Sequence, residues 1–185
     1  MHRARRRRRS NPDSLRLPRK QTQHKILVMP PQLLFDISGL DLTRVLWDQE
    51  EVRKCNPQRG AMQQLDGIVY ADRELGRIVG FKDIRADEFW VSGHIPGRPI
   101  YPGVMMIEAG AQIAGLYTHK FVGWKGFIGF GGVDGCKFRT LVTPPARMYL
   151  LAQKLWERHH RVCCAVQGLV DGTVCFEANI IGTEM

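Results

Sequence analysis

Apolar residues fall along this chain in two rhythms. Between positions 104 and 116 they leave almost no polar face: Val104, Met105, Met106, Ile107, Ala109, Ala111, Ile113, Ala114 and Leu116 accompany only two polar side chains, Glu108 and Gln112. That run predicts a helix from Gly103 to about His119, buried nearly all round. Elsewhere the apolar stretches are shorter and richer in β-branched and aromatic residues, which predicts strands over residues 65–71, 77–84, 136–141, 148–156, 162–170 and 173–181. The first two form a hairpin around Glu74-Leu75-Gly76, Asp171-Gly172 is a two-residue hairpin turn, and Arg158-His159-His160 makes another turn. Residues 124–135, Gly-rich and aromatic, stand before the strand at 136. Upstream, Asp41 is the expected N-cap of a helix through Val45, Leu46, Val52 and Lys54 that ends before Pro57, and residues 32–40 form a short docking segment. The sum is an α+β arrangement: one long central helix amid five or six mostly antiparallel strands.

The helix is preceded by a stretch of different character. Residues 93–102 hold Pro96, Pro99 and Pro102 together with Gly93 and Gly97. Prolines at that density exclude a helix and fix φ repeatedly, so this is a stiff, shaped loop. His94 stands near its start.

Composition adds a division of the chain. Residues 1–30 carry ten Lys or Arg against a single acid, Asp13, which accounts for the whole net charge of +9; the remaining seventeen basic and seventeen acidic residues cancel. Residues 1–31 therefore read as a basic, disordered tail, and residues 32–185 as a single domain with an N-terminal helical extension. The neutral body does not read as a nucleic-acid-binding surface. No run of eighteen apolar residues exists to span a membrane. The five cysteines are odd in number, lack CxxC spacing and include an adjacent pair, which is not a disulfide framework and fits a reducing, cytoplasmic setting. His159, His160, Cys163 and Cys164 suggest a metal site, but neighbours in a strand point to opposite faces, so no metal is expected there.

The chemistry concentrates in residues 93–112. Glu108 and Gln112 are four apart and share a helix face. A carboxylate on a core helix needs a partner or a purpose. A desolvated carboxyl, an amide and the imidazole of His94 beside one apolar cavity suit acid–base chemistry on an apolar substrate.

The segment Gly93-His94-Ile95-Pro96-Gly97-Arg98-Pro99-Ile100-Tyr101-Pro102-Gly103, followed by an apolar run with Glu108 and Gln112, resembles the active-site segment of the FabZ-type β-hydroxyacyl-acyl-carrier-protein dehydratases. Asn56-Pro57-Gln58-Arg59 through Asp66 is similar to a second family stretch, Lys137-Phe138-Arg139 to a third, and the likeness covers about residues 48–183. It implies the hotdog fold, an antiparallel sheet wrapped around one long central helix, assembled as homodimers or trimers of dimers. It implies dehydration of (3R)-hydroxyacyl thioesters to trans-2-enoyl thioesters in fatty-acid or related lipid synthesis. The substrate rides on the phosphopantetheine arm of acyl carrier protein, with no bound cofactor. By the same resemblance His94 takes the α-proton, Glu108 from the partner subunit assists departure of the hydroxyl, Gln112 orients Glu108, and the helix N-terminus at Gly103 polarises the thioester carbonyl. Basic residues between Arg98 and Arg161 offer a surface for the acidic carrier. The chain departs from the family pattern at Gln58-Arg59-Gly60-Ala61-Met62, at Ile95 and at Pro144-Pro145-Ala146. A hotdog acyl thioesterase and a non-catalytic acyl-thioester-binding regulator are the alternative readings.

Overall fold

A computed structural model describes residues 31–185. The basic tail expected over residues 1–31 lies outside the described residues except for Pro31. Six strands make one sheet: β1 (Gly67–Asp72), β2 (Arg77–Ile84), β3 (Ile128–Phe138), β4 (Ala146–Arg158), β5 (Arg161–Val170) and β6 (Thr173–Glu184). Their spatial order is β1-β2-β4-β5-β6-β3, and every neighbouring pair is antiparallel. The turns follow local chemistry. In the β1–β2 turn the Asp72 carboxylate accepts from Leu75 N at 2.8 Å. Asp171 and Gly172 both take positive φ, +50° and +73°, as the tight hairpin between β5 and β6 requires. His159 and His160 do the same between β4 and β5, at +48° and +56°.

The sheet curls around the long helix α2 (Gly103–Tyr117), which continues as a π-turn over Thr118–Val122 and stops at Gly123, where φ is +91°. This is the hotdog arrangement. Met106, Ala109, Ile113 and Leu116 on α2 share one core with Ile78 and Ile84 of β2, Met148 and Leu150 of β4, Val166 of β5 and Phe176 of β6. Gly110 lets helix and sheet meet closely: a Cβ there would lie 3.3 Å from Val166 Cγ1 and 3.4 Å from the Phe176 ring.

The other face of the sheet is covered too, which is why these strands read as nearly continuous apolar runs rather than clean alternations. Val79, Phe81, Leu151, Leu169 and Val174 form a second core under Phe35, with Leu34, Ile37, Leu40 and Leu42 packed around it. Gln167 ties this N-terminal strap down, accepting from Leu34 N at 2.7 Å and donating to Gln32 O at 2.9 Å. The Arg77 guanidinium sits 5.2 Å from the centre of the Phe35 ring. The docking segment expected over residues 32–40 thus docks on the outer face of the sheet.

Two expectations are corrected. The helix expected from Asp41 to Lys54 is only α1 (Gln49–Arg53), capped by Asp48, whose side chain accepts from Glu51 N at 3.0 Å. Asp41 instead makes its own short turn, accepting from Thr43 N at 3.0 Å, and Trp47 is held extended by a bridge to Ile68 of β1. The strand expected over residues 136–141 begins eight residues earlier and ends at Phe138. Its glycines mask it: Gly131, Gly132 and Gly135 sit at irregularities, between Phe130 and Gly132 and between Asp134 and Lys137, where the strand breaks register with β6 without leaving the sheet.

Candidate active site

The loop before α2 is fixed by its own backbone. Trp90 O accepts from Gly93 N at 3.1 Å and from His94 N at 2.7 Å, Ile95 O accepts from Arg98 N at 2.8 Å, and His94 O accepts from Ile100 N at 3.1 Å. The His94–Ile95 peptide is cis. Tyr101 N donates to Val142 O at 2.7 Å, which seats the end of the loop on the body. The His94 side chain is exposed, and its Nδ1 lies 2.9 Å from Ile100 O. A carbonyl only accepts, so Nδ1 carries the proton and Nε2 presents a lone pair to the outside.

On α2 the expected polar stripe forms. Gln112 is 2 % exposed and every polar group of its side chain is engaged. Its Oε1 accepts from Gln64 N at 2.8 Å, and its Nε2 donates to Met62 O at 2.7 Å and to Glu108 Oε1 at 2.8 Å. A second amide reaches the same carboxylate oxygen: Gln58 Nε2 donates to Glu108 Oε1 at 3.3 Å. Both donors converge on Oε1, which leaves Oε2 as the oxygen free to meet a ligand. Asn56 Nδ2 donates to Gln112 O at 2.8 Å and fastens the Asn56–Gln58 segment to the helix.

These groups stand in the wall of a cavity of about 180 Å³. Glu108, Gln112 and Gln58 form its polar end, and Ala111, Gly115, Phe130, Ile180 and Ile181 give it an apolar length that reaches Thr118 and His119. From Glu108 to His119 the helix advances about 16 Å, at about 1.5 Å per residue. An apolar wall running along the helix from one polar end suits a hydrocarbon chain with a polar head near Glu108.

His94 is not among the residues lining this cavity. Within one chain the structure brings Glu108 and Gln112 together with Gln58, and leaves His94 on a separate, outward-facing loop. Gly103 heads α2, where Met105 and Met106 donate back to Pro102 O at 2.9 and 3.2 Å. The first-turn donors left for a ligand are therefore the N–H groups of Gly103 and Val104. The space above Gly103 is taken by the Phe138 ring, 2.8 Å from where a Cβ would stand.

Sequence reading passed over Gln58 and Gln64 as contributors. Gln58 was visible only as a departure from a family pattern. Gln64 acts through its backbone N–H and through its side-chain oxygen, which accepts from Tyr101 OH at 2.8 Å. Burial pushes the Tyr101 phenol far above its ordinary range, so it stays a donor. Among the described residues no three His, Cys, Asp or Glu side chains converge to hold a metal ion. No helix among them is long and apolar enough to cross a membrane.

Comparison with known proteins supplies relatives. Residues 56–179 match the model of the FabA-like domain family. The chain is 33% identical over 141 residues to the 3-hydroxyacyl-(acyl-carrier-protein) dehydratase FabZ of Thiobacillus denitrificans, covering 74% of this chain and 96% of that protein. Against FabZ of Listeria monocytogenes the identity is 30% over 135 residues, covering 72% of this chain and 93% of the relative. Among solved structures, the dehydratase heterocomplex ApeI:P of Xenorhabdus doucetiae aligns with a TM-score of 0.60 at 14% identity, over 72% of this chain and 90% of that one. A hypothetical thioesterase of Streptococcus pneumoniae, solved with coenzyme A, aligns with a TM-score of 0.55 at 11% identity, over 74% and 95%. At these identities the structures speak for the fold alone.

Proposed function

This chain belongs to the family of FabA-like domains, and we propose that it dehydrates (3R)-hydroxyacyl thioesters carried on acyl carrier protein to trans-2-enoyl thioesters, in fatty-acid or related lipid synthesis. One observation carries the reading. A chain matching dehydratases over nearly their whole length holds Glu108 at the polar end of an apolar cavity, with one carboxylate oxygen anchored by Gln112 and Gln58 and the other free.

The reaction breaks a Cα–H and a Cβ–O bond and forms the Cα=Cβ double bond. His94 Nε2, left unprotonated by the Nδ1 bond to Ile100 O, takes the α-proton. Glu108 Oε2 delivers a proton to the β-hydroxyl, which leaves as water. Gln112 orients Glu108, and the N–H groups at Gly103 steady the charge that develops on the thioester oxygen once the Phe138 ring swings aside. No cofactor takes part; the phosphopantetheine arm of the carrier presents the substrate.

The site is completed by a second copy. His94 faces outward from its own chain, and β3 ends the sheet as an open edge with Phe130 55% and Phe138 53% exposed. Pairing two such edges places the loop of one chain against the cavity of the other and makes a homodimer. The enzyme works in the cytoplasm.

Hydration of crotonyl thioester, the reverse reaction, tests the assignment through loss of enoyl absorbance. Wild-type chain should turn it over, and Glu108→Gln should fall by about 10²–10⁴-fold without losing its fold. Mixed dimers of His94→Ala with Glu108→Ala should recover activity that neither has alone. Release of free thiol instead of hydration would identify a thioesterase, and a Glu108→Gln chain with wild-type turnover would remove Glu108 from the chemistry.

A further inference from the structure

Away from the cavity, a buried cluster of charge remains unassigned. Lys82, near the end of β2, is 2% exposed. Its ammonium lies 3.1 Å from Glu88 Oε1, 3.5 Å from Asp66 Oδ2 and 2.9 Å from Asp83 O. The Glu88 side chain is 5% exposed. Burying a lysine and a carboxylate together is costly, and equally good packing is available from apolar residues of the same volume. The cluster therefore calls for an explanation beyond stability.

Its connections supply one. Glu88 holds three things at once. Oε1 accepts from Arg85 N at 3.0 Å and forms an ion pair with Lys82, and Oε2 accepts from the Trp90 indole N–H at 3.2 Å. Trp90 is itself buried, its ring edge-on to Tyr101 at 5.5 Å between centroids. The carbonyl of Trp90 receives the backbone N–H of His94. An unbroken line of contacts thus runs from the sheet through Lys82, Glu88 and Trp90 to His94. Beyond Tyr101 it continues through Gln64 to Gln112 and Glu108. Asp66 and Glu88 each keep two other donors, but Glu88 lies nearer the ammonium, 3.1 Å against 3.5 Å, and it is Glu88 that reaches on to Trp90 and the loop.

We infer that Lys82 is a positioning residue: through Glu88 and Trp90 it fixes the loop so that His94 Nδ1 stays bonded to Ile100 O and Nε2 faces the substrate. The inference rests on the proposed role of His94 as the base. Lys82 touches neither the cavity nor any reacting atom. Its loss acts by letting the turn over residues 85–92 slacken, which moves the His94 backbone and frees the ring to exchange tautomers.

The test uses the full-length chain with ¹⁵N-labelled histidine at about pH 8, where histidine is largely neutral, and His94→Gln to assign the His94 signal. Wild type should show His94 with Nδ1 protonated and Nε2 bare. Lys82→Met should give a mixture of tautomers, and kcat should fall about 10²-fold, the scale of an ångström's misplacement, with KM within about twofold. Where Lys82→Met fails to fold because Glu88 is left buried and unpaired, Lys82→Met/Glu88→Gln removes both charges while the new amide still accepts from the indole. The same two changes are expected of it. A folded variant of either kind with the His94 tautomer and kcat of wild type, however much its melting temperature drops, overturns the inference and leaves Lys82 a packing residue. Wild-type chain with no dehydratase turnover would instead sink the proposed function, and the tautomer measurement would still decide the role of Lys82.

Discussion

Replacing Gln112 by leucine exposes how much of the site rests on one amide. The substitution keeps the volume and removes one acceptor and two donors. Gln64 N–H then loses its 2.8 Å acceptor at a residue that is only 1% exposed. A buried donor left without a partner costs about 1–3 kcal/mol. Met62 O also loses its donor, but Met62 is 47% exposed, so its carbonyl turns to water at little cost. The leucine side chain brings apolar burial that offsets a fraction of the loss. The net is about 1–3 kcal/mol, a large part of the about 5–15 kcal/mol of a typical domain. With a urea slope of about 2 kcal/mol per molar, the unfolding midpoint should fall by roughly 0.5–1.5 M. Glu108 would retain only the long contact from Gln58, so turnover of the folded enzyme should drop about ten- to hundredfold. Urea unfolding and crotonyl-thioester hydration on one preparation read both effects. An unchanged midpoint would refute the accounting of the orphaned Gln64 donor. A lowered midpoint with unaltered turnover would show that Gln112 supports the fold without orienting Glu108.

Three further outcomes are expected from the structure. Arg147 grips Asp83 through two bonds of 2.6 and 2.7 Å and holds its carboxyl below the ordinary range. A depressed carboxylate stabilises the fold above its unfolded value near about 3.9 and loses that contribution as pH falls through its folded value. Both side chains are 41% exposed, so screening keeps the effect under about 1 kcal/mol; the urea-midpoint gap between wild type and Asp83→Asn should be small at neutral pH and vanish toward about pH 2. Phe35→Ala on the strap should cost about 3 kcal/mol of stability and leave dehydration of the folded enzyme intact, because Phe35 lies on the side of the sheet away from α2; a matching loss of turnover would mean the outer face communicates with the cavity. Deleting residues 1–30 removes all of the net charge and none of the described core, so melting temperature and turnover should both stay as they are; a folded but inactive truncation would give the tail a part in catalysis.

The central helix was legible from composition alone, because a helix without a polar face has only one place to go. The polar pair on it was legible from spacing, since residues four apart must meet, and Gln112 does donate to Glu108. The β1–β2 hairpin and the three long C-terminal strands were marked by turns whose residues tolerate positive φ. What sequence hid was of three kinds. Glycines at the bulges of β3 carry no side chain to signal a strand, and pairing with β6 overrides their low propensity. The spacing puts the cap at Asp41, but the pairing of Trp47 with Ile68 holds the chain extended as far as Asp48, which caps α1 instead. The partners of Gln112 lie 48 and 50 residues away along the chain, and the strap meets Gln167 across a separation of 133. Contacts at such range leave no periodic trace.

The two ends of the sheet differ, and the difference bears on how large an assembly can grow. At β1 the outermost strand is already met by the chain itself: Ile68 N donates to Trp47 O at 2.8 Å, and Ile68 O accepts from Leu46 and Trp47. At β3 nothing among the described residues pairs the far side. A sheet with two bare margins would add copies without limit and become a fibre. A sheet with one bare margin, joined to itself by a two-fold axis, has no margin left after a single addition. The short Leu46–Trp47 bridge, which forms no part of the chemistry, covers the margin at Ile68 and so narrows the ways in which further copies could add there.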